Sequence, residues 1–242
     1  MKKVIFLIIL FSPACIYSQD PADSTKTPFT VGGEISFNSN GMAPVPAFSL
    51  GKPAISAGMG VNKGHFSYDP QFAYSLHFKP WVMDNWFHYR LVDRQKFMIR
   101  TGADVSLFFT EENFPDLKLI HAQRYLALEI MGAFKFRGKG EAGLMYWRDL
   151  GLDQGSLKGH FINLYVDRPD IGLGKIFETD LYVQLFYLDY TAENDGLFFA
   201  GKISPSLKGC PVHVFFQWVQ ALWSNIDPFP GFRWNAGVAY KF

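Results

Sequence analysis

The chain has 242 residues, with 23 Lys and Arg against 22 Asp and Glu, 48% hydrophobic and 17% aromatic side chains, 25 of them Phe. A balance this close to neutral offers no bulk charge to hold nucleic acid, and a uniform texture without linker or low-complexity segment favours one domain. Two Cys, and six His at 65, 77, 88, 121, 160 and 213 without close pairing, give neither a disulfide framework nor a zinc set, and with no Gly-rich phosphate loop no cofactor is expected.

The first element is the short basic segment "MKK", the apolar run "VIFLIILF" and the small-residue stretch "SPACIYSQD". That order is that of a secretory signal peptide, too short to span a bilayer. Residues 1–18 are assigned to it, with cleavage after Ser18 or Gln19; residues 19–28 read as a flexible lead-in and 29–242 as the folded domain. A lipoprotein signal acylated at Cys15 competes, but Ser12 and Pro13 suit that processing poorly. Cleavage leaves Cys210 as the sole thiol. Beyond this segment no apolar run approaches 20 residues, so any crossing of a membrane must use strands.

From Phe29 onward the period is two, the mark of strands whose faces meet different surroundings. Phe29, Val31, Gly33, Ile35 and Phe37 oppose Thr30, Gly32, Glu34, Ser36 and Asn38. The pattern repeats over 54–61, 72–79 and 87–91, and at greatest length in "KFMIRTGADVSLFF", where Phe97, Ile99, Ala103, Val105 and Leu107 share a face opposite Arg100, Gly102 and Asp104. Leu126, Leu128 and Ile130 against Glu129 and Lys135, then "GEAGLMYW", "GHFINLYVD", "ETDLYVQLFYLDY", "GLFFAGKIS", "PVHVFFQWVQALW" and the closing "FRWNAGVAYKF" bring the number of strands to about twelve. The last places Phe232, Trp234, Ala236, Val238, Tyr240 and Phe242 on one parity to its final residue, which predicts a terminal strand with neighbours on both sides, paired with the first.

The links alternate in length. "NKGH", "VDRQK", "FRGKG", "DRPDIGLGK" and "SPSLKG" are short or moderate; "NSNGMAPVPAFSLGKP", "TEENFPDLKLIHAQ", "RDLGLDQGSLK", "YTAEND" and "SNIDPFPG" are mostly longer, with "KPWVMDN" between. In membrane barrels one end carries tight turns and the other long loops, and here both termini fall on the tight-turn side, the periplasm of an exported protein. Alternation alone does not say which parity meets water. Eight strands already make a barrel that side chains can fill, so twelve around an apolar interior would leave a void; two packed sheets are the alternative. Mid-strand Arg100, Asp104, Glu129, Lys135 and Lys202 suit a wet lumen, whereas Arg or Lys at the lipid midplane costs about 2–4 kcal/mol.

A signal peptide, about twelve amphipathic strands and a last strand with Trp234, Val238, Tyr240 and terminal Phe242 at alternate positions resemble a Gram-negative outer-membrane β-barrel, with "SQD" similar to the exported proteins of Bacteroidota. The resemblance implies an all-β, closed antiparallel transmembrane barrel of about twelve strands in outer-membrane lipid, a C-terminal signal read by the barrel-assembly machinery, and a monomer or small homo-oligomer. Fold does not give function. "GHFSYD" is similar to the His-x-Ser of lipid A deacylases and outer-membrane phospholipases, but Tyr68 follows Ser67 where those families commonly have Asn, and His65 and Ser67 fall on the lumen parity. No catalytic role is assigned to them, and a lipid-modifying outer-membrane hydrolase using this pair stands only as a third alternative.

The lumen parity carries Lys79, Arg90, Arg100, Lys135, Lys202, Arg233 and Lys241 against Glu34, Asp104, Glu129 and Glu141, with His88, Asn163 and Gln217 among them. This balance predicts a passive channel for small polar solutes with modest anion preference. Inward Phe161, Tyr165, Phe198 and Phe215 predict the alternative, a filled accessory barrel that binds another envelope protein. Trp81, Trp86, Phe87, His88 and Tyr89 read as an interfacial belt. Acidic loop residues Glu111, Glu112, Asp116, Asp153, Glu193, Asp195 and Asp227 read as solvated.

Overall fold

The computed structural model describes residues 28–43, 48–114, 117–190, 194–226 and 231–242, with side chains at all of these except 112–114, 117 and 118. The expected signal peptide and, apart from Pro28, the lead-in lie outside the described residues, as do Asp116, Glu193, Asp227 and the side chain of Glu112.

Twelve strands follow one another: β1 (Phe29–Asn38), β2 (Ala54–Lys63), β3 (Phe66–Ser75), β4 (Pro80–Asp93), β5 (Phe97–Phe114), β6 (Leu117–Lys135), β7 (Glu141–Gly151), β8 (Lys158–Leu173), β9 (Phe177–Asp189), β10 (Asp195–Leu207), β11 (Val212–Ser224) and β12 (Phe232–Lys241). Each pairs antiparallel with its chain neighbours, and β12 returns to β1 to close the barrel. The expected pairing of first and last strands is present, with Glu34 opposite Lys241, Ile35 opposite Tyr240 and Asn38 opposite Gly237. Closure leaves no row of unpaired backbone groups in an apolar solvent.

Gly33 and Phe242 complete the seam by exchanging both backbone hydrogen bonds at 3.0 Å. A side chain at Gly33 would enter the space of the Phe242 ring and approach the Gly58 carbonyl at 2.6 Å, so the ring needs a bare backbone beneath it. Gly33→Leu is therefore expected to weaken the seam by about 1–3 kcal/mol, the usual overpacking cost. The check is a lower temperature at which the folded band is lost in unheated gel electrophoresis; an unchanged temperature overturns it.

The two parities separate as the sequence implies. Phe29, Ile35, Phe37, Val105, Leu128, Ile130, Leu144, Leu164, Val214 and Val238 are exposed outward, a continuous apolar wall that water would not tolerate and lipid does. Phe29, Phe66, Tyr89, Phe97, Phe134, Phe177 and Tyr240, all exposed, stand at the ends of their strands nearest the chain termini and form an aromatic girdle there. The buried residues are those that point inward, so the core of this protein lies in its lumen.

Several connections differ from expectation because the strands run on into them. The stretch 110–123, expected as a loop, is mostly strand, since β5 and β6 stay paired from Phe97↔Phe134 out to Phe114↔Leu117. "KPWVMDN" belongs largely to β4, and "DRPDIGLGK" largely to β8, whose turn is only 174–176. Toward these strand ends the outward residues are no longer uniformly apolar, and the period-two signal fades although the hydrogen-bond ladder continues.

Candidate functional site

The lumen is crossed by a series of inward aromatic rings. Trp86 (β4) packs on Trp147 (β7) with centroids 5.0 Å apart, Trp147 on Phe161 (β8) at 4.5 Å, Phe161 on Phe186 (β9) at 5.3 Å and Phe186 on Phe198 (β10) at 5.1 Å. Phe161, Phe186 and Phe198 are fully buried. The expected filling by Phe161, Tyr165, Phe198 and Phe215 is present as burial, and the rings form a partition rather than a uniform plug.

A second obstruction comes from the β1–β2 loop at the end of the barrel opposite the termini. Asn235 on β12 anchors its base, accepting from the Asn40 amide at 3.0 Å and donating to Asn38 at 2.9 Å. The Phe48 ring then reaches Phe108 on β5 at 4.8 Å, Tyr125 on β6 at 5.3 Å and Tyr190 beyond β9 at 6.4 Å. Trp81 fixes it, its indole N–H donating to the Phe48 carbonyl at 2.8 Å. A register shift between β3 and β4 at this point frees Trp81 from the outward parity, as bulges commonly do. Trp81 and Trp86 thus belong to the lumen, contrary to the belt expected from the sequence, while Phe87 and Tyr89 are exposed outward.

Between and around these obstructions lie three spaces. A groove of about 840 Å³ at the rim is lined by Leu50, His77, Lys79, Trp81, Phe108 and Glu111 among others. Trp81 and Phe108 also wall a cavity of about 230 Å³ that holds Asp84, Asp104 and Asp149. Trp147 separates that cavity from one of about 160 Å³ lined by Asn163, Gln184, Lys202 and Gln217. Asn163 is buried there, with its Nδ2 donating to Gln184 at 2.9 Å and its Oδ1 without a partner among the described residues.

Six of the cations singled out by parity are each held by a carboxylate. Arg100 Nε donates to Glu129 Oε1 at 2.9 Å, and the second oxygen of Glu129, a side chain only 1% exposed, accepts from the Trp147 indole at 2.9 Å. His88 lies across Gly102, with Nδ1 2.9 Å from Asp69 and Nε2 3.6 Å from Glu129. Asp93 takes both Arg90, at 2.8 Å, and Lys135. Lys202 and His213 flank Glu34 at 3.6 and 3.3 Å, and Lys241 meets Asp180 at 2.6 Å. Glu141 accepts from Tyr165 at 2.7 Å. Arg233 shares the inward parity at the start of β12. Lys79 stands in the β3–β4 link at the rim, paired with Glu111. Trp234, Val238, Tyr240 and Phe242 are exposed on the outer wall.

Sequence reasoning missed the carboxylates. Asp69, Asp84, Asp149, Asp167 and Asp180 share the inward parity of their strands with Ser67, Trp86, Trp147, Tyr165 and Tyr182. Asp84 and Asp149 fell in stretches taken for loops; extending the alternation of β4 and β7 would have found them.

His65 and Ser67 do not converge. His65 Nδ1 lies 2.6 Å from the Arg90 carbonyl, while Ser67 gives its proton to Asp69 Oδ2 at 2.9 Å. His88, opposite Ser67 in the ladder, also reaches Asp69, so a carboxylate stands between hydroxyl and imidazole. A triad needs the imidazole between the other two.

No family model matches the chain, and no curated protein matches it. Among solved structures it is similar to the KdgM porin in complex with disordered oligogalacturonate, with a TM-score of 0.57 and 11% identity over 87% of this chain and 99% of that one. A second structure of the KdgM porin gives a TM-score of 0.56 and 12% identity over the same shares. At such identity the likeness is one of fold: an all-β, closed, twelve-stranded antiparallel barrel.

Proposed function

We propose that this chain, folded as a porin is, forms an outer-membrane channel for small polar solutes, with both termini in the periplasm. The observation that carries the reading is the succession of spaces: groove, acidic cavity and inner cavity share walls at Trp81, Phe108 and Trp147, so they follow one another from the rim inward with side chains between them. The similarity to a porin solved with an oligogalacturonate supports passage of a polar solute. The outward C-terminal aromatics fit recognition by the barrel-assembly machinery.

The anion preference expected from the sequence is revised here. Arg90, Arg100, Lys135, Lys202 and Lys241 are neutralised in ion pairs, whereas no ion pair joins Asp84, Asp104 or Asp149 to a Lys or Arg among the described residues. Unpaired carboxylates set the preference of a narrow passage, and they favour cations. Refolded protein in a planar bilayer under a salt gradient is expected to show discrete current steps with cation bias. Silence from a demonstrably folded barrel would overturn the channel and leave the accessory barrel with a filled lumen.

A further inference from the structure

We infer that the cavity walled by Trp81, Trp86 and Trp147 binds a small organic cation, an amine or quaternary ammonium ion; the inference rests on the channel reading and specifies its solute. Three carboxylates, Asp84, Asp104 and Asp149, line this space, and its lining contains no Lys or Arg. Their internal bonds leave charge to spare. Asp104 Oδ1 accepts from the Asn85 amide at 2.7 Å and Asp149 Oδ2 from the Tyr190 hydroxyl at 3.4 Å, both neutral donors, and Asp84 has no hydrogen-bond partner among the described residues. Like charges facing one volume repel one another or hold protons until a cation enters.

The walls select among cations. Aromatic surroundings are how quaternary ammonium ions are recognised, and Trp81, Trp86, Phe108, Tyr125 and Trp147 supply them here. A sodium ion satisfies the carboxylates but draws little from the rings while it keeps its water. A neutral sugar can stack on the indoles but leaves the negative charge uncompensated. At about 230 Å³ the cavity exceeds the roughly 150 Å³ engineered cavity that accommodates benzene, so an ion the size of choline has room. Trp81 and Phe108 are the walls that the cavity shares with the rim groove, the side from which the ion would enter.

The test is a choline chloride titration of the detergent-refolded barrel at constant ionic strength, followed by tryptophan fluorescence and calorimetry, with sodium chloride and glucose as parallel titrants. Saturable binding of choline alone is expected. Asp84→Asn is expected to weaken it about tenfold or more, Asp84→Glu to retain it and Lys139→Gln, in the exposed link between β6 and β7, to leave it unchanged. Should Asp84→Asn fail to give the folded band, Asp149→Asn takes its place, and the comparison of choline with sodium on the unaltered protein needs neither. Absence of choline saturation, or equal affinity in the carboxylate variant, overturns the site. Choline binding by a barrel that conducts nothing would overturn the channel and keep the site; conduction without choline binding would do the reverse.

Discussion

Trp147→Ala is expected to raise the unitary conductance at least about twofold, since the narrowest section dominates the resistance of a pore. Trp147 is the wall common to the two inner cavities and the link between the Trp86 ring and the Phe161 stack. Its removal joins the two cavities and cuts Trp86 off from the Phe161 stack. Glu129 loses an indole donor but keeps Arg100, so its charge stays compensated. Trp218→Ala is the control: Trp218 packs beside Phe199 and Phe216, both exposed on the outer wall, and no change in current is expected there. Equal conductance in Trp147→Ala and the unaltered protein would show that the partition does not set the flow.

The second large effect concerns stability. Arg100→Ala should destabilise the barrel by about 3 kcal/mol, the lower end of what breaking a buried pair costs, because Glu129 is then left charged away from water while Arg100 itself is partly wet. His88, 3.6 Å away, and the Trp147 indole soften the loss without removing it. Adding Glu129→Gln to Arg100→Ala is expected to recover most of the stability, because no unpaired charge remains; the double variant then tells charge burial from lost packing. Urea denaturation in detergent measures both. A single variant as stable as the parent would mean that water reaches Glu129.

Much of the architecture was legible in the alternation. Residues on lipid must be apolar and those on the lumen need not be, so Phe97, Ile99, Val105 and Leu107 announce β5 as plainly as any sequence can, and the terminal parity ending at Phe242 announced the seam. Legibility failed where the outward alternation is interrupted. Asp84 and Asp149 lie on β4 and β7 beside outward Asn85 and Arg148, which break the apolar parity, and they looked like loop residues. The charge balance of the lumen was misjudged for that reason, although the cations and Glu34, Asp104, Glu129 and Glu141 had been recognised. Phe48 was illegible for another: whether a loop turns outward or folds into a mouth depends on what receives it. Here Phe108 and Tyr125 come from the β5–β6 hairpin and Tyr190 from the end of β9, all far along the chain from Phe48.

The seam between β1 and β12 also dictates an order of events. Every other strand pair is a hairpin between chain neighbours, able to form as soon as its two strands exist, whereas the pairing of Glu34 with Lys241 closes a loop of nearly the whole domain. Loop closure on that scale costs about 4–5 kcal/mol of chain entropy from the logarithmic term alone, and nothing rewards it until both edges meet. Sealing is therefore the last and slowest step of assembly, and until it happens β1 and β12 are open templates for any extended strand nearby. A peptide carrying the β12 sequence should trap the unsealed sheet and have no hold on the finished one.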